Sequence, residues 1–202
     1  MRKEVLTMAF DEIWQKAQDG ITLRYGVVDG NDTIVLIKSG CGGSYDGYAH
    51  KYERMAQRIY AAHGYSVITA DNPEDLFHSH QTDRAVIEQY ANRRGFDRYT
   101  VCFAAHSDGW EQIIRAAKEM PQTARLLGIN PSPIDDEAMM ADLHALPQAE
   151  KTVVFGTQDD EFYLAAKLEA ADIPRLRIIP VEDADHDFTD RAEEFIALID
   201  LL

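Results

Sequence analysis

Apolar runs of strand length alternate with amphipathic segments along most of the chain. The apolar runs lie at about residues 33–38, 66–70, 99–104, 125–129, 152–155 and 176–180. Helical spacing of apolar residues occurs between and after them, at about residues 49–63, 82–94, 108–119, 135–146, 160–171 and 189–201. Continuous apolar strands are typical of a sheet buried on both faces, and strands that alternate with helices usually pair in parallel. The pattern predicts an α/β fold with a mostly parallel central sheet and helices on both faces.

The first part of the chain carries two further patterns. Apolar residues recur at helical spacing before Gly20, which predicts an amphipathic helix over about residues 9–18. Residues 21–28 and 33–38 have strand character, and the segment 29–32 between them consists of Asp, Gly and Asn. These residue types tolerate the dihedrals of tight turns, so we expect an antiparallel hairpin there.

Length and charge restrict the range of functions. The 202 residues contain no linker or repeat and predict one domain over residues 1–202. The net charge of -15 leaves no basic stripe, so neither nucleic acid nor an anionic membrane surface is an expected partner. No apolar run is long enough to span a bilayer, and acidic residues interrupt the N-terminal segment, which argues against a signal peptide. We therefore expect a cytoplasmic protein, whose oligomeric state the sequence leaves open.

A serine lies where a buried strand is expected to turn into a helix. Residues 105–109 read Ala-His-Ser-Asp-Gly and follow the apolar run 99–104. This resembles the elbow GxSxG, whose tight geometry raises a serine hydroxyl above the sheet. Ala105 stands at the first glycine position, and Gly109 keeps the second. Alone the motif is weak, because a serine before a helix is more often a cap.

Two later loops supply what a nucleophilic serine needs. Such a serine requires a base to take its proton, and the base requires an acceptor that orients it. Asp159 follows one predicted strand and His186 follows the next. Since loops at the carboxyl ends of parallel strands meet at one edge, we expect both to lie near Ser107. Asp160 is the alternative acid, because either aspartate is also placed to cap the next helix.

The elbow, the two loops and the order serine, aspartate, histidine together resemble the α/β-hydrolase superfamily, from about residue 21 to the C-terminus. The resemblance implies a serine hydrolase that acts on a small acyl substrate, an ester, thioester or amide, without cofactor or metal. Ser107 would be the nucleophile, His186 the base and Asp159 the acid. Only about twenty residues separate runs 125–129 and 152–155, which leaves no room for a large lid.

The resemblance also implies an oxyanion hole of backbone N–H donors. One donor is the residue after the nucleophile, Asp108. The second is expected in the glycine-rich loop at residues 39–44, at Cys41, with Gly42 as the alternative. Ser39 stands where the family often has histidine, and the Asp108 carboxylate stands where negative charge would develop.

Other interpretations remain open from the sequence. The same fold without catalysis would give a binding or regulatory domain. The loop at 39–44, with Asp71 beyond the next strand, is weakly similar to a nucleotide site, but neither GxGxxG nor GK[ST] spacing is present. His78 and His80 are too closely spaced to indicate a metal site by themselves, and a loop role near the site edge is the simpler interpretation. Cys41 has no neighbouring base that would activate it as a nucleophile.

Overall fold

The computed structural model describes residues 10–202. The strands are β1 (Glu12–Gln18), β2 (Ile21–Val28), β3 (Asn31–Lys38), β4 (Tyr65–Ala70), β5 (Thr100–His106), β6 (Thr123–Ile129), β7 (Glu150–Gly156) and β8 (Leu176–Val181). The helices are α1 (Lys51–His63), α2 (Ser79–Arg94), α3 (Gly109–Lys118), α4 (Asp136–His144), α5 (Tyr163–Ala170) and α6 (Ala192–Ala197). Short 3-10 turns lie at Tyr48–His50, Asp160–Phe162 and Leu198–Leu201.

All eight strands form one sheet in the order β1-β2-β4-β3-β5-β6-β7-β8. Strands β3 to β8 run parallel to their neighbours within that group, and β2 pairs antiparallel with both β1 and β4. The chain goes from β3 to β4 on one side and then to β5 on the other. The topological switch point therefore lies beside β3, where open α/β sheets bind ligands at the carboxyl edge.

Helices cover both faces of the sheet, as the sequence predicted. The buried residues of α2, α3, α4 and α5 share one core cluster with one face. Those of α1 and α6 share the second cluster with the other face. In α1 the buried residues Tyr52, Met55, Ala56 and Ile59 recur at the spacing of one helical face. No helix in residues 10–202 is both long and apolar enough to cross a bilayer.

The helix predicted over about residues 9–18 is wrong for the part that the structure describes. Residues 12–18 are the edge strand β1, with partly buried and exposed side chains in strict alternation; residue 9 lies outside the described range. Trp14 faces α2, whereas Ile13 is 54% exposed. Asp19 and Gly20 have φ of 52° and 80°, so they form a hairpin turn to β2. Gly20 was interpreted as a helix stop, although Asp-Gly before an apolar strand is also a hairpin signal.

The predicted hairpin between residues 21–28 and 33–38 is also wrong. Strands β2 and β3 do not pair with each other, because β4 lies between them and bonds to both. The chain crosses the end of β4 so closely that a Cβ on Gly30 would lie 2.3 Å from the carbonyl carbon of Tyr65. The glycine at this position permits a close backbone approach and not a hairpin turn.

A buried ion pair lies beneath the carboxyl end of β3. The Lys38 ammonium is 2.8 Å from the Asp83 carboxylate of α2, and both side chains are almost fully buried. The Tyr25 hydroxyl donates to the same carboxylate at 2.9 Å. Burial lowers the pKa of Lys38, and Asp83 opposes that effect. These contacts tie α2 to the strand that leads into residues 39–44.

Replacing Lys38 by Met leaves the Asp83 carboxylate buried without its cation, so we expect the free energy of unfolding to fall by about 3–5 kcal/mol. The control Tyr25→Phe removes one hydrogen bond to the same carboxylate and should cost about 1.5–3 kcal/mol. Removing both charges, in Lys38→Met with Asp83→Leu, should recover much of the loss. Urea unfolding measures all three. Equal destabilisation by Lys38→Met and by the double variant would show that the unpaired charge of Asp83 is not the cause of the loss.

Candidate active site

Ser107 occupies a sharp turn between β5 and α3. Its φ is 56°, in the left-handed region that non-glycine residues rarely adopt. Its N–H donates to the Ile129 carbonyl at 3.0 Å, and its own carbonyl accepts from Trp110 N–H at 3.0 Å, so backbone bonds hold the turn on both sides. A Cβ on Gly109 would lie 2.4 Å from the Ser39 carbonyl oxygen, which excludes any larger residue there. The sequence-predicted elbow is present in this geometry.

The first position of the elbow is occupied by alanine, and its partner on the neighbouring strand is a glycine. Ala105 is buried and pairs with Gly128 on β6. A Cβ on Gly128 would lie 2.9 Å from the Trp110 ring, so this ring already fills the space above the strand. Ala105 belongs to the same core cluster as Trp110.

Residues 39–44 pass directly beside Ser107. A Cβ on Gly40 would lie 3.0 Å from the Ser107 Cβ. The Ser39 hydroxyl is 2.9 Å from the Gly43 carbonyl and 3.1 Å from the Ala70 carbonyl, so Ser39 supports the loop in place of a histidine. The Asp71 carboxylate accepts from Tyr45 N–H at 2.7 Å, and it also forms an ion pair with Arg24. Asp71, which the weak similarity to a nucleotide site included, thus holds the end of this loop.

Ser107, His186 and Asp159 lie in hydrogen-bonding contact. The Ser107 Oγ is 2.9 Å from His186 Nε2. The opposite ring nitrogen, Nδ1, is 3.1 Å and 3.2 Å from the two Asp159 carboxylate oxygens. Because a carboxylate only accepts, Nδ1 carries the proton of the neutral ring, and Nε2 is free to accept from the serine hydroxyl.

Asp159 both caps the turn that follows it and contacts the His186 ring. Asp159 is the residue before the turn Asp160–Phe162, and its Oδ1 accepts from Glu161 N–H at 3.1 Å while the same carboxylate contacts His186. Asp159 is buried, whereas Asp160 is exposed. The cap and the contact to His186, which the sequence left open between Asp159 and Asp160, therefore both involve Asp159.

Sequence reasoning missed two residues that hold the backbone of His186. Asn130 Nδ2 lies 2.9 Å from the His186 carbonyl and 3.0 Å from the Asp185 carbonyl, and Asn130 Oδ1 accepts from Gly156 N–H at 2.7 Å. His106 Nε2 donates to the same His186 carbonyl at 2.9 Å. Asn130 joins the histidine loop to the end of β7, which precedes Asp159. A polar residue directly after the apolar strand β6 was the available signal.

The pKa values of His186 and His106 are shifted in opposite directions. Hydrogen bonding to Asp159 raises the pKa of His186 above its usual 6.5, against a partial burial that lowers it. Burial lowers the pKa of His106 to about 3, and the positive charge of Lys51 adds to this effect. His106 is therefore a neutral donor near pH 7, whereas the pKa of His186 lies above its usual value.

The two expected oxyanion donors have free backbone N–H groups. The amides of Cys41 and Asp108 donate no hydrogen bond within residues 10–202. The Gly42 N–H, in contrast, donates to the Asn72 carbonyl at 2.8 Å, so the alternative donor is already engaged. Partial burial and the Asp108 carboxylate, which accepts from the thiol, raise the pKa of Cys41. A raised thiol pKa does not favour Cys41 as a nucleophile.

Ser107 and His186 line a cavity of about 280 Å³ at the carboxyl edge of the sheet, together with Gly40, Cys41, Gly43, Ser44, Gly47, Tyr48, Lys51, Tyr52, His106 and Asp187. This volume is at the lower end for a small-molecule site.

His78 and His80 lie apart from this cavity. His80 is buried in α2, near the side-chain oxygen of Gln112 on α3, and the two imidazole rings are 5.9 Å apart. Within residues 10–202, no cluster of three or more His, Cys, Asp or Glu is arranged to hold a metal ion. Neither histidine lines the cavity at Ser107. The loop role applies to His78, which lies in the turn before α2, but not to His80, which lies within that helix.

No protein-family model and no curated protein matches the sequence. Solved structures do match its fold. Est1E from Butyrivibrio proteoclasticus has a TM-score of 0.72 at 12% identity, over 94% of this chain and 96% of that one. An alpha-beta serine hydrolase homologue from Coxiella burnetii has a TM-score of 0.68 at 14% identity, over 95% and 97%. The esterase domain of a Rhodothermus marinus protein has a TM-score of 0.69 at 12% identity, over 94% and 95%.

The chain has the α/β-hydrolase fold. The eight-stranded order and the helices on both faces agree with these matches over nearly the whole of each chain. At such low identity the likeness concerns the fold alone, so the chemistry of this α/β-hydrolase-fold protein has to be argued from its own side chains.

Replacing Asp159 by Asn should lower the pKa of His186, because the carboxylate that favours the protonated ring becomes neutral. Asp160→Asn is the matched control. It should leave the pKa of His186 nearly unchanged, since Asp160 is exposed and its carboxylate does not contact the ring. NMR titration of the imidazole resonances measures both variants. A lowered pKa in Asp160→Asn but not in Asp159→Asn would reassign the acid.

Proposed function

We propose that the protein is a serine hydrolase that cleaves a small carboxylic ester, thioester or amide through an acyl-enzyme. The observation that carries this proposal is the continuous contact from Ser107 Oγ to His186 Nε2 and from His186 Nδ1 to Asp159. The left-handed turn at Ser107 supports it, because strained backbone is concentrated at functional sites.

In the first half-reaction Ser107 Oγ attacks the substrate carbonyl carbon while His186 Nε2 takes the hydroxyl proton. The Asp159 carboxylate stabilises the imidazolium through Nδ1–H. Negative charge develops on the carbonyl oxygen, and the free N–H groups of Cys41 and Asp108 are the proposed donors to it. The tetrahedral intermediate collapses, the bond to the leaving group breaks, and His186 returns the proton to the leaving oxygen, sulfur or nitrogen.

In the second half-reaction water attacks the acyl-enzyme. His186 Nε2 removes a proton from this water, a second tetrahedral intermediate forms at the same donors, and its collapse releases the carboxylic acid. The proton then returns to Ser107 Oγ, so the enzyme is regenerated. Every proton in this cycle moves between groups of the chain, the substrate and water.

The size of the cleft supports a small acyl substrate. The catalytic cavity of about 280 Å³ suits a short acyl group more than a polymer, and only α4 lies in the connection between β6 and β7. One of the matched structures is described as an esterase domain, which favours ester hydrolysis as the first activity to test.

A fluorophosphonate probe should label Ser107, and Ser107→Ala should abolish labelling and reduce the hydrolysis of short 4-nitrophenyl esters by about 10³-fold or more. His186→Ala should lose the labelling too, because the serine hydroxyl is then without its base. Mass spectrometry of digested protein locates the adduct. Circular dichroism verifies that each variant is folded. Folded wild-type protein that neither labels nor hydrolyses an ester would favour the alternative, a non-catalytic binding domain of the same fold.

Replacing Cys41 by Pro removes a backbone N–H that is proposed to donate to the oxyanion. We expect kcat/KM to fall by an amount equivalent to about 2.7–4 kcal/mol of transition-state stabilisation. Cys41→Ala keeps the N–H and loses only the thiol, so it should retain most of the activity. Steady-state kinetics with one neutral ester compares the two. A loss in Cys41→Ala as large as that in Cys41→Pro would assign the effect to the thiol instead.

A further inference from the structure

The catalytic cavity shares a wall with a second, larger one. The second cavity has a volume of about 410 Å³ and lies between the turn Tyr48–His50, residues 187–190 and α6. Its apolar side is formed by Phe188, Phe195 and Ile196. Both cavities are lined by the same three side chains, Tyr48, Lys51 and Asp187.

Lys51 brings a positive charge to this shared wall. Its side chain is half-buried, and its ammonium lies 4.4 Å from the centre of the Phe195 ring and 5.2 Å from that of the Tyr52 ring. Within residues 10–202 it forms no ion pair with a carboxylate. Arg54 also lines the second cavity, but it is paired with Glu193. Lys51 is thus a partly desolvated cation whose neighbours are aromatic faces.

The carboxylate that lines both cavities, that of Asp187, does not neutralise Lys51. Asp187 is exposed, where water solvates it well, and it forms no ion pair with the ammonium. Burial lowers the pKa of Lys51, and the Asp187 charge opposes this only in part. An anion placed between the two cavities would supply the missing charge partner and would restore the pKa toward its usual range.

We infer that Lys51 makes this cleft selective for esters or amides that carry a carboxylate a few bonds from the scissile carbonyl. The inference rests on the proposed function, because it places the reacting carbonyl at Ser107. Lys51 and Ser107 line one small cavity, so one short substrate contacts both. The remainder of the substrate has the apolar hollow beyond Lys51 available to it.

The kinetic test compares anionic esters with neutral esters of the same shape. Mono-4-nitrophenyl succinate and 4-nitrophenyl 4-methylpentanoate differ in the charge of the acyl end. The acetate esters of 4-hydroxybenzoate and of 4-isopropylphenol differ in the charge of the leaving group. In wild-type protein one of these pairs should show a preference for the anion. Relative to the neutral ester, kcat/KM for that anion should fall about tenfold or more in Lys51→Met, mainly through KM.

Matched variants separate charge from packing. Lys51→Met keeps the aliphatic stem against the Phe195 ring and removes only the charge. Lys51→Arg keeps the charge and should retain most of the preference. Asp187→Asn removes the competing carboxylate and should increase the preference for the anion. A preference based on charge should also weaken with added salt.

A binding experiment tests Lys51 without turnover. In the Ser107→Ala protein, calorimetry should show tighter binding of monomethyl succinate than of methyl 4-methylpentanoate, and adding Lys51→Met should remove the difference. Absence of probe labelling and of all ester hydrolysis would sink the proposed function, while this binding comparison would still decide the role of Lys51. The inference is overturned if both ester pairs and the binding comparison show no preference for the anion. It is also overturned if a preference for the anion persists in Lys51→Met.

Discussion

The site depends on how closely three backbone segments approach one another at the carboxyl edge of the sheet. Ser107 adopts a left-handed conformation that costs a non-glycine residue about 1–2 kcal/mol. The conformation is held because Gly109 lies against the Ser39 carbonyl at a distance that leaves no room for a Cβ, and Gly40 lies so close to the Ser107 side chain that a Cβ there would be tightly packed. The glycines thus permit the sharp turn at Ser107 while residues 39–44 bring the free N–H of Cys41 to the same cavity. Moving either segment away would separate Ser107 from the proposed oxyanion donor at Cys41.

A second constraint acts on the histidine through its backbone. The contact between His186 and Ser107 requires a loop after β8 to reach across β7 and β6 to the end of β5. Asn130 spans this gap, because it bonds the carbonyls of residues 185 and 186 on one side and Gly156 N–H on the other. A Cβ on Gly156 would lie 2.3 Å from the Ala184 carbonyl oxygen, so the acid loop and the histidine loop are in direct backbone contact. The ring of His186 is therefore oriented by its loop as well as by Asp159.

The parts of the fold that the sequence predicts well are those where pattern and pairing agree. The continuous apolar runs became β3 to β8, and the three loops that carry Ser107, Asp159 and His186 follow from strand ends in a parallel sheet. The N-terminal part was predicted wrongly because its structure depends on distant partners. Four apolar residues between 10 and 17 fit a helix as well as a strand, and only pairing with β2 decides between them. Likewise, no local sequence signal shows that β4 lies between β2 and β3 in the sheet, because β4 comes after helix α1 in the chain. Asn130 and Lys51 were not predicted for the same reason, since the site residues that each one lies near are distant in sequence.

Charge at the site is set locally and not by the chain as a whole. The net charge of -15 should repel anions at a distance, but at physiological ionic strength this field is screened over about 8 Å. Inside the cleft, His106 is neutral and Arg54 is paired, so Lys51 is the unpaired cation that a ligand meets at close range, together with the exposed carboxylate of Asp187. The overall charge then affects the rate of encounter, whereas one half-buried ammonium affects which ligand stays. An acidic protein and a preference for a singly anionic substrate are therefore compatible, because the two properties act over different distances.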